Sequence, residues 1–302
     1  MGYLVFARKY RPQKFSEIIG QEHITKTLQN AIKSGRIHHA YLFSGPRGTG
    51  KTTTARILAK ALNCENGPSI EPCNNCNNCL SIAKGETLDV IEIDAASNRG
   101  IDDIRALREN VKFAPTHLRY KVYIIDEAHQ ISKDGFNALL KTLEEPPEFI
   151  IFIFCTTEIH KFPETILSRC QEFNFRLATV SELKILLKKI CEKEKIKYDE
   201  EALDLIASAS EGSWRDSLSI LDQLVSYSKD LKKDDVIFVL GIIPDEEIFE
   251  FIKIIKRGKK KELLEKIDEF LYKGWRFDRL VEKLLEFYRL ILKKKYGFEE
   301  DI

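Results

Sequence analysis

No run in the 302 residues approaches the roughly 18 consecutive apolar residues that a membrane span needs. The opening MGYLVFARKYRPQKF also lacks the apolar core and small-residue cleavage site of a secretory leader. The expectation is a cytoplasmic protein without membrane contact. A surplus of charge of either sign is missing too, since 48 Lys and Arg against 47 Asp and Glu leave a formal net charge of +1. That balance excludes the overall basic field of a monomeric nucleic-acid binder, so any such contact must be local or shared among subunits. Internal repeats and low-complexity tracts are absent, which sets aside solenoids and biased tails. Disulfides are not expected either, because the cytosol keeps thiols reduced; the seven cysteines read as thiols or metal ligands. What is present is a 43% hydrophobic chain long enough for two or three compact units.

Between residues 40 and 176, short apolar runs alternate with helical stretches: Ala40–Ser44, Asp89–Asp94, Lys121–Asp126, Phe149–Cys155 and Glu172–Arg176. Such runs predict a parallel sheet covered on both faces, an α/β domain over residues 1–177. After Arg176 the strand signal vanishes and a 3.6-residue period takes over, at Leu183, Leu186, Leu187 and Ile190, then Leu203, Leu205 and Ile206, then Leu218, Leu221, Leu224 and Val225. This predicts a small helical domain over 178–241. A third, lysine-rich helical segment fills 242–302, with apolar stripes at Phe251, Ile254 and Ile255 and at Leu280, Leu284, Leu285 and Tyr288 that call for a partner surface. Lys256–Lys261 is a short charge run, read as a solvated face.

Gly45-Pro46-Arg47-Gly48-Thr49-Gly50-Lys51-Thr52 fits G-x-x-x-x-G-K-[ST], follows the first predicted strand and opens a helix from Thr52 to Asn63. In that context the glycines let backbone N–H groups curl around phosphates. Lys51 reaches the β- and γ-oxygens, and Thr52 offers its hydroxyl to Mg²⁺, with Thr53 next along the helix. Asp126 and Glu127 end the third predicted strand, at the sheet end where ligands of open α/β folds sit. Asp126 is expected to hold Mg²⁺ through water and Glu127 to act as general base. The following residue pair ends in His129, to which no role is given.

Cys64-x8-Cys73-x2-Cys76-x2-Cys79 offers four thiolates, the number in a closed tetrahedral zinc site, with no histidine or carboxylate for an open position. The C-x2-C-x2-C spacing also matches ferredoxin ligation, so the pattern leaves zinc and an iron–sulfur cluster both open. Asn74, Asn75, Asn77 and Asn78 suit tight turns between ligands, and Pro68 and Pro72 stiffen a loop too small for its own core. Cys155, Cys170 and Cys191 are scattered and read as packing residues.

The phosphate loop, the Asp-Glu pair and the trailing helical domain resemble AAA+ ATPases. Further stretches narrow the match: Tyr10-Arg-Pro-Gln-Lys-Phe-Ser-Glu-Ile-Ile-Gly-Gln21, Phe136-Asn-Ala-Leu-Leu-Lys-Thr-Leu-Glu-Glu-Pro-Pro147, Ile166-Leu-Ser-Arg-Cys170 and Gly212-Ser-Trp-Arg-Asp-Ser-Leu218. Together they are similar to the gamma/tau subunits of bacterial DNA polymerase III clamp loaders, over essentially the whole chain. The resemblance implies a P-loop AAA+ parallel-sheet domain with an inserted zinc module at about 64–79, a helical lid at 178–241 and the start of a helical collar at 242–302. It also implies ATP, Mg²⁺ and structural Zn²⁺ as cofactors. By the same resemblance Thr157 is the sensor near the γ-phosphate and Arg215, after a Ser213 cap, is the sensor arginine of the lid. Tyr10, Arg11, Pro12, Ile18 and Ile19 wall the adenine, and Arg169 is an arginine finger for the neighbouring subunit's site.

Implied partners are delta- and delta-prime-type subunits, homo-oligomeric neighbours, the sliding clamp and primer-template DNA, held by helix N-termini and scattered basic residues, of which Arg99 is the foremost candidate. The zinc module is expected to be an outer surface apart from the ATP chemistry. The chain ends at Ile302, short of the usual collar, which reads as a fragment. Two other readings stay in view: another AAA+ DNA motor such as a branch-migration helicase, and a non-hydrolysing clamp-loader scaffold. The intact Gly50, Lys51, Thr52, Asp126 and Glu127 argue against the scaffold.

Overall fold

A computed structural model describes residues 3–97, 107–273, 275 and 277–297. Arg99 lies outside the described residues. The chain divides into two compact units, Met1–Ile190 with Ala207–Ile220, and Cys191–Ile206 with Leu221–Ile302.

The first unit is built on five parallel strands, β1 (Ala40–Ser44), β2 (Val90–Asp94), β3 (Lys121–Asp126), β4 (Ile150–Thr156) and β5 (Gln171–Asn174), in the order β2-β3-β4-β1-β5. The central strands β1 and β4 are buried along their whole length, which is why their sequences are unbroken apolar runs and not alternations. Alternate residues of each strand feed two separate cores. Tyr41, Phe43, Val122, Ile124, Ile151 and Ile153 pack on one face against α2 (Glu22–Lys33) and α3 (Lys51–Asn63), through Leu28, Ile57, Leu58 and Leu62. On the other face, Leu42, Tyr123, Ile125, Phe152 and Phe154 pack against α6 (Lys133–Glu144) through Phe136, Leu139 and Leu143, and against Leu107 and Val111 of α5, described over residues 107–111. A short helix α1 (Phe6–Lys9) precedes α2, and α7 (Glu164–Leu167) precedes β5. The edge strand β5 stops at Asn174, so Phe175 and Arg176, expected as strand, lie beyond it.

Asp89, just before β2, is buried and accepts three backbone N–H groups, from Thr116 (2.8 Å), His117 (2.8 Å) and Leu118 (3.0 Å). Burial alone would push its pKa up; the three donors and nearby Lys121 bring it below the ordinary carboxylate value. This carboxylate replaces backbone partners for the irregular approach to β3.

Two expectations are corrected. Asn77 and Asn78 are not turn residues but open a helix, α4 (Asn77–Lys84), because the Cys76 sulfur accepts the backbone N–H of Cys79 and so caps it. Strand pairing also does not end at Arg176: β6 (Lys197–Tyr198) and β7 (Asp230–Leu231) form a two-residue parallel pair, too short to leave an apolar run in the sequence.

The helices after the sheet are α8 (Val180–Glu194), α9 (Glu200–Ala209), α10 (Trp214–Tyr227) and α11 (Lys233–Leu240). Leu183, Leu187, Ile190, Leu203, Ile206, Leu218, Leu221 and Leu224 are buried as their period predicts. The second unit continues with α12 (Asp245–Arg257), α13 (Lys260–Tyr272) and α14 (Phe277–Lys295), joined around Ile248, Phe251, Phe270, Trp275 and Leu280. Of the expected stripes, Ile255, Leu285 and Tyr288 are exposed. Among the described residues no helix is long and apolar enough to cross a membrane.

Candidate nucleotide site and cysteine centre

The loop between β1 and α3 runs through positive φ at Gly45, Gly48 and Gly50, and α3 starts at Lys51 with Gly50 in the left-handed region. Lys51 is buried, and its ammonium donates to the carbonyls of Gly45 and Pro46 at 2.7 Å each; burial lowers its pKa, partly offset by Cys155, Glu127 and Asp126. Thr52 donates its hydroxyl to Asp126 Oδ2 at 2.8 Å, and the other oxygen of Asp126 accepts the backbone N–H of Glu127 at 3.0 Å. One hydroxyl from the first turn of α3 and one carboxylate from the end of β3 are thus adjacent, an all-oxygen pair suited to a hard divalent cation.

Glu127 adopts left-handed backbone at φ +47, a conformation that costs a non-glycine residue roughly 1 kcal/mol and that concentrates at functional sites. Its Oε2 accepts the Thr157 hydroxyl at 3.0 Å, from the end of β4. His129, to which the sequence reading gave no role, is almost fully buried here: Nδ1 lies 3.1 Å from Thr156 Oγ1 and 3.5 Å from Glu127 Oε2, and Nε2 lies 3.2 Å from Glu158 Oε1. Glu158 is held below the ordinary carboxylate value chiefly by Lys161 at 2.8 Å. The link between His129 and Glu158 was missed because it forms only when β3 pairs with β4, which a linear pattern does not reveal.

Arg215 stands in the first turn of α10, whose N-terminus abuts the phosphate loop. The Trp214 N–H donates to the Gly48 carbonyl at 3.1 Å, and a methyl on Gly48 would sit 1.9 Å from Ser213 Oγ. Ser213 Oγ accepts the Asp216 N–H at 3.2 Å, the expected cap. Arg11 has a lowered pKa, from burial first and then from Arg56 and Arg215, against Glu92. Arg11 and Arg215 therefore share one region with Arg56, whose guanidinium is paired with both oxygens of Glu92 at 2.6 and 2.7 Å. Tyr10, Pro12, Ile18 and Ile19 are half-buried in the same N-terminal segment. Arg169 is not drawn into this cluster; its guanidinium bonds Glu144 at 2.7 Å, the Thr165 carbonyl at 2.6 Å and Ser168 Oγ at 3.2 Å.

The four sulfurs of Cys64, Cys73, Cys76 and Cys79 lie within 4.8 Å of one another, with Cys73 and Cys79 at 4.0 Å. Sulfurs about 2.3 Å from a central tetrahedral ion stand a little under 4 Å apart, so the set fits a single mononuclear ion, and it is far too open for a disulfide. The backbone N–H groups of Asn75 and Cys76 pull the Cys73 thiol down to about 6, while burial pushes that of Cys79 up. Cys155 and Cys191 are buried and Cys170 half-buried, away from this set.

A sequence-family profile described as "DNA polymerase III, delta subunit" matches residues 20–179, and one described as "DNA polymerase III clamp loader subunit, ATPase lid domain" matches residues 183–230. The chain is 49% identical over 302 residues to DNA polymerase III subunit tau of Bacillus subtilis, covering 99% of this chain and 54% of that protein. To DNA polymerase III subunit gamma of Buchnera aphidicola it is 42% identical over 265 residues, 87% of this chain and 72% of the relative. The chain belongs to the DNA polymerase III gamma/tau family. It spans about half the length of the tau relatives it matches. Among solved structures, the Thermotoga maritima RuvB Holliday junction branch migration motor is similar in fold, with a TM-score of 0.57 at 20% identity, over 83% of this chain and 80% of that one. The gamma/tau chain thus shares with that motor a fold of a parallel sheet followed by helices.

Proposed function

We propose that this gamma/tau chain is an ATP-hydrolysing motor of the bacterial clamp loader, coupling nucleotide turnover to opening of a sliding clamp and its loading on primed DNA. The observation that carries the reading is the convergence of Thr52, in the first turn of α3, with Asp126, Glu127 and Thr157 at the ends of the adjacent strands β3 and β4. In the proposed reaction Lys51 and the backbone N–H groups of Gly48 to Thr52 hold the phosphates, and Tyr10, Arg11, Pro12, Ile18 and Ile19 wall the base. Thr52 and Asp126 would hold Mg²⁺, which supplies charge neutralisation on the phosphates when bound. Glu127 takes a proton from the attacking water, and the Thr157 hydroxyl orients its Oε2. Arg215 reads the nucleotide from the lid, and Arg169 serves a neighbouring copy, in keeping with its place outside the Arg11 cluster.

The cysteine set is proposed to hold structural Zn²⁺, because four thiolates leave no position open for catalysis and the sulfurs stand close enough for one ion. A division at 1–177, 178–241 and 242–302 into sheet domain, lid and collar start is part of the same proposal, as are other clamp-loader subunits as partners and a cytoplasmic place. A scaffold without hydrolysis is disfavoured by the complete Lys51, Thr52, Asp126 and Glu127 set. The test is ATP turnover by the assembled complex with and without clamp and primed DNA, repeated with Glu127→Gln. Stimulation in the wild type, with loss of turnover but retained ATP binding in the variant, is expected; absence of stimulation refutes clamp loading as the role.

A further inference from the structure

The cysteine module does not stand apart from the N-terminal segment. Glu71, two residues before Cys73, uses both carboxylate oxygens on that segment: Oε2 accepts the N–H of Phe15 and Oε1 that of Ser16, each at 3.0 Å. Gln29 of α2 donates to Oε1 at 2.9 Å and to the Ile70 carbonyl at 3.3 Å. On the other side of the module Asn74, at φ +60 directly after Cys73, donates to the Gln13 carbonyl at 3.2 Å. Lys60 of α3 is 2% exposed, and its ammonium donates to that carbonyl at 3.0 Å, to Gln13 Oε1 at 2.7 Å and to Asn74 Oδ1 at 2.8 Å. A cavity of about 30 Å³ is lined jointly by Arg11 and Pro12, by Thr53 and Ile57 of α3, and by Ile82 of α4.

The residues gripped, 13 to 16, lie between the two groups read as the adenine wall, Tyr10 to Pro12 and Ile18 to Ile19. Glu71 and Asn74 have no core of their own to place them. Both flank Cys73, so a metal that ties Cys73 to Cys64 at the end of α3 fixes them together. Lys60 adds a further link, because its ammonium bridges Gln13 of that segment and Asn74 of the module.

We propose that the metal-bound cysteine module is a brace for the base-binding wall, with Glu71 and Lys60 as positioning residues that set nucleotide affinity without touching the nucleotide. The proposal rests on the reading of residues 10–19 as that wall. The phosphate loop is anchored separately, by the sheet and by the Lys51 and Trp214 contacts, so loss of the brace should weaken binding of the base and spare binding of the phosphates.

The experiment measures Mg²⁺-dependent binding of ATP and of inorganic tripolyphosphate by the full chain, as wild type, Glu71→Ala, Glu71→Gln and Lys60→Met, and by wild type stripped of metal and reloaded with zinc. Amide exchange is followed at Phe15, Ser16 and the central strands. Glu71→Ala, Lys60→Met and metal stripping should each weaken ATP by about tenfold or more, the order expected on removing a charged hydrogen-bonding group. Tripolyphosphate affinity should stay within about twofold. Glu71→Gln, which keeps one acceptor, should fall between, and zinc should restore the stripped protein. Turnover by assembled Glu71→Ala complexes should show a raised KM with kcat retained. Exchange at Phe15 and Ser16 should accelerate while β1 and β4 stay protected.

Unchanged ATP affinity in both alanine and methionine variants, or equal losses for ATP and tripolyphosphate, overturns the brace. If the wild type binds no ATP, the nucleotide reading fails on its own. The brace is then refuted or upheld by whether metal removal accelerates exchange at Phe15 and Ser16.

Discussion

Replacing Gly48 by alanine tests the junction between the phosphate loop and the first turn of α10. Gly48 has φ +77, where an L side chain costs roughly 1–2 kcal/mol. The added methyl would meet Ser213 Oγ at 1.9 Å, and real contacts of this kind do not fall below 3.0 Å, so Ser213 must retreat by about 1 Å or more. That movement breaks the Ser213 cap on the Asp216 N–H, whose loss costs about 1 kcal/mol. It also strains the Trp214 N–H bond to the Gly48 carbonyl. Together the terms predict destabilisation of roughly 2–3 kcal/mol, read by equilibrium urea denaturation. ATP binding should weaken as well, because Arg215 moves with its turn. The clash has a specific signature: adding Ser213→Gly should recover part of the Gly48→Ala loss, whereas independent sites would add. Full stability in Gly48→Ala, or strict additivity in the double variant, refutes the account.

Asp89→Asn should destabilise the first unit by about 2–4 kcal/mol in the same assay, because an amide in either orientation points its NH₂ at a buried backbone N–H that the carboxylate now satisfies. Glu182 supplies a pH test. Paired with the two terminal guanidinium nitrogens of Arg176 (2.9 and 2.7 Å) and accepting the Thr179 N–H, its carboxyl is held down to about 2 from an ordinary 4.5. A depressed acid stabilises the fold fully above its unfolded pKa and loses that contribution as pH falls through the folded one. Glu182→Gln should therefore be less stable than wild type at neutral pH, with the gap closing between about pH 4.5 and 2 in thermal melts. A gap that is constant with pH would show that the charge is not the cause.

The parts of this molecule that were legible in the sequence are those whose signal is local. Five apolar runs became five strands, since β1 and β4 are buried on both faces and need continuous hydrophobicity. The glycine loop was readable because its spacing is itself the geometry. What escaped depends on partners far along the chain or on short elements. Glu71 looks like any acidic loop residue until Phe15 and Ser16 are beside it, 56 and 55 residues away. His129 acquires neighbours only when β3 and β4 pair. Asn77 and Asn78 carry turn propensity, which the Cys76 cap overrides. Leu285 and Tyr288 share a helical period with Leu280, yet only Leu280 reaches the Trp275 cluster, because one stripe on α14 is wider than the core it meets.

Helix α3 begins at Lys51 and ends at Asn63, one residue before Cys64, so a single rigid rod of about 20 Å carries the phosphate loop at one end and the first thiolate at the other. Each residue added to such a rod would turn its far end by about 100°. Over evolutionary time the spacing from Lys51 to Cys64 should therefore be held constant, while length variation gathers in the exposed turn at residues 85–88, before β2. An alignment of gamma/tau chains with insertions inside α3 and a retained cysteine set would contradict this.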